Sequence, residues 1–283
     1  MTQSTQSQWI EHFARFGYAA KGVVYALVGI FALQAAFTPG GTTTDQQGVI
    51  YELVDQPFEQ VLLILATIGL IGYVMWRFLQ AFMDVDNEGT SIKGLVKRFA
   101  FGISGVIYSG FAFSAIKLLN GGQRGSSEQS DETTRHWTAR FLSQPFGDWL
   151  VGLGGVIMIA LGFYYFYKAF TGKFRKELNM KEMTPHERKW VTLAGRLGLS
   201  ARGVIFSMIG WFLIQAAYKL DASEARAIPG ILDVLLDQSY GPLLLGSVAF
   251  GLVVYGIYMG VHARYRRIHP PNINPQKLLN RGQ

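Results

Sequence analysis

Basic residues recur at matched positions along this chain. Arg15, Arg98 and Arg196 each head an apolar stretch, and six residues further on stand Lys21, Ser104 and Arg202. Cations held at equivalent places in a repeat are what an anion needs, whether phosphate, carboxylate or lipid headgroup, because several ammonium or guanidinium groups can then meet it at once. The plainer expectation is anchoring: the long side chains lie along apolar surface and deliver their charge to the headgroup region. Anchoring is the first reading of Arg15, Lys21, Arg98, Arg196 and Arg202. A basic ring for an anionic ligand, lipid headgroup or partner protein is the second, with Ser104 leaving it incomplete. Arg77, in Tyr73-Val74-Met75-Trp76-Arg77, has Tyr165 and Met259 as its counterparts and is also expected to anchor at the interface.

The search for catalytic chemistry is negative. Cysteine is absent, so thiol catalysis and disulfides are excluded. His12, His136, His186, His262 and His269 show no metal-ligand spacing, although His12 and His262 are expected on the same side. No acidic residue lies within the long apolar runs, which argues against a carboxylate proton relay or cation site there. The Gly-rich stretch from Pro39 to Thr44 lacks the lysine and spacing of a phosphate loop. The expectation is a protein that is not an enzyme and holds no cofactor or metal.

The elements that carry the cations are written three times. Arg15 to Ala36 reads RFGYAAKGVVYALVGIFALQAA, Arg98 onward RFAFGISGVIYSGFAFSAIKLL, and Arg196 to Ala217 RLGLSARGVIFSMIGWFLIQAA, with starts 83 and 98 residues apart. Self-similarity on this scale fixes the architecture before any motif is weighed. The chain is 49% hydrophobic and only 16% charged, and its apolar residues fall into six blocks. Runs of roughly 17–25 such residues cross a bilayer as helices. The N-terminus through Lys21, Arg77 to Arg98, Lys168 to Arg202 and the tail from His262 hold 20 basic and 7 acidic residues, against 6 and 12 in the segments between. That alternation argues against nucleic acid as the partner and, by the positive-inside rule, puts both termini and the two basic loops in the cytoplasm.

The expected fold is therefore an all-α integral membrane protein. Six transmembrane helices form three parallel helical-hairpin repeats, residues 13–84, 92–171 and 190–266, with pseudo-threefold symmetry and cytoplasmic N and C termini. The first helices share small residues at steps of four and three: Gly22, Ala26 and Gly29, then Gly105, Ser109 and Ala112, then Gly203, Ser207 and Gly210. That spacing puts them on one face, a seam for close helix packing. The outward loops also match, with Gln56, Gln144 and Gln238 equivalent, Asp55 and Asp237 as caps, and Pro57 and Pro145 in first helical turns. The stretches before them are expected as short amphipathic helices on the outer surface. Asn120 to Thr134 is expected to be the least ordered stretch. Thr184-Pro185-His186-Glu187 is a capping box that should open a short basic helix leading to the third repeat.

These segments, the Gln-Pro-Phe before the return helix and Gly69-Leu70-Ile71-Gly72-Tyr73-Val74-Met75-Trp76-Arg77 closely resemble the bacterial domain of unknown function 1206 family, from about Phe13 to Arg266. The resemblance implies six spans in three two-helix modules and a place in the bacterial inner membrane as a multi-pass protein. It implies no activity. Ala100 and Ser104 replace Gly17 and Lys21 in the second copy, and Ser239 replaces proline in the third. Mitochondrial carriers are similar only in repeat plan, since their Pro-x-Asp/Glu-x-x-Lys/Arg motif is missing here. The leading expectation is a non-enzymatic scaffold or accessory subunit binding membrane lipids, including anionic ones, or a membrane or cytoplasmic protein partner. The alternative is a small transporter or channel for an anionic or amphiphilic solute along the pseudo-threefold axis.

Overall fold

In the computed structural model the described residues are 2–38, 41, 43–52, 59–86, 88–122 and 129–266. They form helices α1 (Thr2–Phe37), α2 (Gln46–Glu52), α3 (Glu59–Phe82), α4 (Ile92–Leu119), α5 (Gln129–Leu142), α6 (Gly147–Thr171), α7 (Pro185–Lys219), α8 (Ile228–Leu236) and α9 (Gly241–Tyr265). Six of them, α1, α3, α4, α6, α7 and α9, are long and apolar enough to cross a membrane. Each repeat is a long helix, a short helix and a returning long helix.

The small-residue faces do the packing the sequence assigns to them. A methyl group on Gly22 would lie 2.7 Å from the Gly256 carbonyl oxygen, and one on Gly29 2.7 Å from the Ala249 carbonyl oxygen, so α1 lies directly against α9. Gly155 meets the Gly210 carbonyl in the same way, and Gly162 meets Gly203 and Ser207, joining α6 to α7. Gly105 receives the ring of Phe78, and Ala112 is buried beside it, joining α4 to α3. Ser109 turns its hydroxyl back to the Gly105 carbonyl at 2.8 Å. Each first helix thus rests on the returning helix of another repeat, α1 on α9, α4 on α3 and α7 on α6. In hydrocarbon this close approach gains dispersion energy that larger side chains would forfeit.

Within a repeat the helices meet differently. In the first, Gly17 lies on Tyr73 and Gly69 on Ala20; in the third, Gly198 lies on Tyr255 and Gly251 on Ala201. In the second, α4 and α6 do not pack along each other. Their spans are also the least buried, at 22% and 17%, against 50% for α1 and α9.

Three local expectations are corrected. The helices before the return spans do not all lie on the surface: Val49 and Ile50 of α2 and Ile231 and Leu232 of α8 are fully buried, because their apolar faces plug the ends of the long helices. The capping box forms, with Glu187 N donating to Thr184 Oγ1 at 3.3 Å and Thr184 N to Glu187 Oε2 at 2.7 Å, but no short helix results. α7 runs unbroken for 35 residues, because Gly195 and Gly198 are tight contact points for Phe174 and Tyr255 rather than breaks. Gln129 to Thr134 are helical at the start of α5. Asp55, Gln56, Pro57 and residues 123–128 lie outside the described residues.

The hairpin loops are stitched in a cycle. Ser130 donates to Asp45, whose other oxygen caps α2 through Gln47 N and Gly48 N at 3.0 and 2.9 Å. Ala227 N donates to Asp131, and Thr43 Oγ1 donates to Asp233 at 2.6 Å. Burial pushes the Asp45 carboxyl above its usual range, against the opposing pull of these donors.

Candidate functional site: an aromatic layer around three cations

All six long helices send aromatic side chains into one interior layer. Tyr18 and Tyr25 come from α1, Tyr73 from α3, Tyr108 from α4, Tyr165 from α6, Phe206 from α7, and Tyr255 and Tyr258 from α9. Their rings touch in series: Tyr18 with Tyr73 (5.7 Å between centroids), Tyr73 with Tyr108 (4.6 Å), Tyr25 with Tyr255 (4.9 Å), and Tyr165 stacked on Phe206 (5.4 Å).

Lys21 sits inside this layer with 5% of its surface exposed. Its Nζ donates to the Tyr73 hydroxyl at 2.6 Å and lies 4.7, 5.2 and 5.7 Å from the rings of Tyr73, Tyr108 and Tyr25. Arg202, its counterpart in the third repeat, donates to the Tyr255 hydroxyl at 2.7 Å and is surrounded by Tyr165, Tyr255, Phe206 and Tyr25 at 4.6–5.4 Å. The two arrangements are the same device, since Tyr73 and Tyr255 are also equivalent. Arg77 joins Lys21 at Tyr73, giving Nε and Nη2 to the Tyr73 hydroxyl and Nη1 to Gln80 at 2.9 Å.

Lys21 and Arg77 therefore converge on one phenolic oxygen, which has two lone pairs to offer. Among the described residues no carboxylate forms an ion pair with Lys21, Arg77 or Arg202. A desolvated cation–π contact is worth up to about 2 kcal/mol, and moving an ion out of water costs several. The rings thus hold the cations in place but supply no net negative charge. An anion between them would be bound by direct Coulomb attraction in a low-dielectric site.

The remaining predicted cations go elsewhere. Arg15 bonds Glu11 and the Ala263 and Arg264 carbonyls at the end of α9, and Arg98 bonds the Ala81 and Phe82 carbonyls at the end of α3. Both complete the unsatisfied C-terminal turn of the helix they rest on, where a cation also favours the dipole. Arg196 is exposed and borders a groove of about 370 Å³ with Arg175, Arg188 and Lys189. Ser104 is half-buried. The matched cations therefore do not form one ring, and interfacial anchoring is corrected for Lys21, Arg77 and Arg202, which point inward. Gln144 and Gln238 are exposed turn residues whose carbonyls accept from Gly147 N and Gly241 N at 2.9 and 2.7 Å; Gln56 lies outside the described residues.

One residue of weight gave no signal in the sequence. Arg266, at the end of α9, pairs with Asp86 at 3.2 Å and Glu177 at 3.4 Å, one from each inter-repeat loop, and Glu177 also takes Lys168 at 2.7 Å. Arg266 lies over the Tyr18 ring at 5.0 Å and against the fully buried His262, whereas His12 is exposed.

The comparisons agree with this architecture and are silent on activity. An uncharacterized protein YxxB of Bacillus subtilis (strain 168) is 36% identical over 261 residues, covering 92% of each chain. No solved structure matches the chain. The sequence profile of the Domain of Unknown Function (DUF1206) matches residues 16–84, 99–172 and 197–266, and the chain belongs to that family, whose motif it carries three times.

Proposed function

We propose that this chain is a non-enzymatic protein of the bacterial plasma membrane that binds an anion within its membrane domain. Its termini and basic loops lie on the cytoplasmic side, as charge asymmetry favours. Three hairpins surround a pseudo-threefold axis, supported by the recurring contacts of α1 with α9, α4 with α3 and α7 with α6. The observation that carries the functional reading is the convergence of Lys21, which is buried, and Arg77 on the Tyr73 hydroxyl, with Arg202 in the same aromatic layer and no carboxylate paired with any of them among the described residues. Inward-facing cations are rare in membrane segments and mark ligand or ion pathways.

Thermal unfolding of the purified chain in neutral detergent tests this, with inorganic phosphate and a short-chain phosphatidylglycerol as probes. A ligand at a hundred times its Kd adds about 2.7 kcal/mol to stability. Stabilisation of the wild type and its loss in the Lys21→Gln/Arg202→Gln double variant are expected; equal stabilisation of both contradicts the reading.

A second reading, docking of an anionic partner or headgroup at the basic end, is favoured by the groove of Arg175, Arg188, Lys189 and Arg196, none of which pairs with a carboxylate among the described residues. Stabilisation that survives Lys21→Gln/Arg202→Gln but disappears in Arg188→Glu/Arg196→Glu would assign the ligand to that groove.

A further inference from the structure

The second repeat departs from the other two at five positions that meet in space. Gly17, Ala20 and Lys21 of α1 face Gly69 and Tyr73 of α3, and Gly198, Ala201 and Arg202 of α7 face Gly251 and Tyr255 of α9. In the second repeat the same places hold Ala100, Ile103 and Ser104 on α4 and Ile157 and Leu161 on α6. A methyl group on Gly17 would already lie 2.6 Å from Tyr73 N, and one on Gly251 2.5 Å from the Ala201 side chain. Isoleucines on both sides of that contact are incompatible with it. The cation and the hydroxyl that clamp the other two pairs are lost together, as Ser104 and Leu161. The consequence is the separation of α4 from α6. Ile103 and Ile157 are left 47% and 57% exposed, and Ser104, Leu161 and Tyr165 half-buried.

We infer that the opening between α4 and α6 is a lateral portal from the bilayer, and that the ligand is an acyl-chain-bearing anion of the phospholipid type. This rests on the anion-binding reading above and adds the ligand class and its route. The chemistry is two-sided. Ile103, Ile157 and Leu161 line the route, where an acyl chain loses nothing relative to the surrounding lipid. The portal leads to Tyr108 and Tyr165, which touch the layer holding Lys21 and Arg202. A headgroup phosphate can meet those cations while its chains remain between α4 and α6. A small hydrated anion has no such match along an apolar opening, because it would shed water before meeting any charge.

The test uses the full chain in phosphatidylcholine vesicles doped with a phosphatidylglycerol that carries a photoactivatable diazirine on its acyl chain, with adducts mapped by mass spectrometry. Wild type is expected to collect adducts at Ser104, Tyr108, Leu161 and Tyr165. Restoring the clamp with Ala100→Gly/Ile103→Ala/Ser104→Lys/Ile157→Gly/Leu161→Tyr, which gives the second repeat the residues of the first at all five positions, should lower them roughly tenfold, equivalent to about 1.4 kcal/mol in occupancy. Should that variant fail to fold, Ser104→Cys/Leu161→Cys bridged by a short bis-maleimide does the same in a chain otherwise free of cysteine, and the unbridged protein is the control. Adducts spread evenly over the lipid-facing sides of all six spans, or unchanged by closing the portal, overturn the inference. Persistence after closure with loss in Lys21→Gln/Arg202→Gln overturns the portal alone; persistence in Lys21→Gln/Arg202→Gln overturns the anion-binding reading beneath it.

Discussion

Arg266 joins what the chain keeps far apart, since Asp86 and Glu177 reach it from the two inter-repeat loops. Removing Arg266 leaves two partly exposed carboxylates uncompensated, so Arg266→Ala should cost roughly 1–3 kcal/mol in detergent unfolding, below the range for a fully buried pair because Glu177 is 37% exposed. Burial by itself would raise the Glu177 carboxyl, but Lys168 and Arg266 together outweigh it and hold the group to about 2. A carboxylate depressed on folding contributes stability that is complete above its unfolded value of about 4.3, and this is lost as pH falls through the folded value. Thermal midpoints should therefore drop between about pH 4.5 and pH 2, and drop less in Glu177→Gln. None of this was legible beforehand, because Arg266 has no counterpart in the other repeats and its partners lie in loops. Lys21 and Arg202 were visible as matched cations. Their inward direction was not, because it depends on Tyr73 and Tyr255, which lie more than fifty residues away in the sequence.

At the level of elements the repeat was readable where one helix alone decides the outcome. Steps of four and three put Gly22, Ala26 and Gly29 on one face, and that face lies on α9. A side chain added at Gly256 would approach the Gly22 carbonyl at 2.5 Å and Ala26 N at 2.7 Å. Gly256→Leu should accordingly cost about 3 kcal/mol or more, the upper range for overpacking. Gly154 has open space around it, and Gly154→Ala should be neutral or stabilise by up to about 1 kcal/mol through helix propensity. Unfolding of both variants side by side checks the contrast. The positions of α2 and α8 were misread, since amphipathic spacing does not say whether an apolar face meets lipid or the ends of other helices. The continuity of α7 was missed for a related reason: the capping box at Thr184 marks where a helix starts and carries no signal of where it ends.

Over the whole molecule, two repeats are clamped by a cation on a tyrosine and one is not. The framework repeats, and the departures from it part α4 from α6 beside an interior layer whose cations pair with no carboxylate among the described residues. An anion there would offset the repulsion between Lys21 and Arg77 and would hold all six spans around a common centre. Native mass spectrometry of the chain released from vesicles of equal phosphatidylglycerol and phosphatidylcholine tests this most directly. The wild type is expected to retain phosphatidylglycerol in preference to phosphatidylcholine, and Lys21→Gln/Arg202→Gln is not. Equal retention of the two lipids by the wild type, or undiminished retention by the double variant, would contradict it.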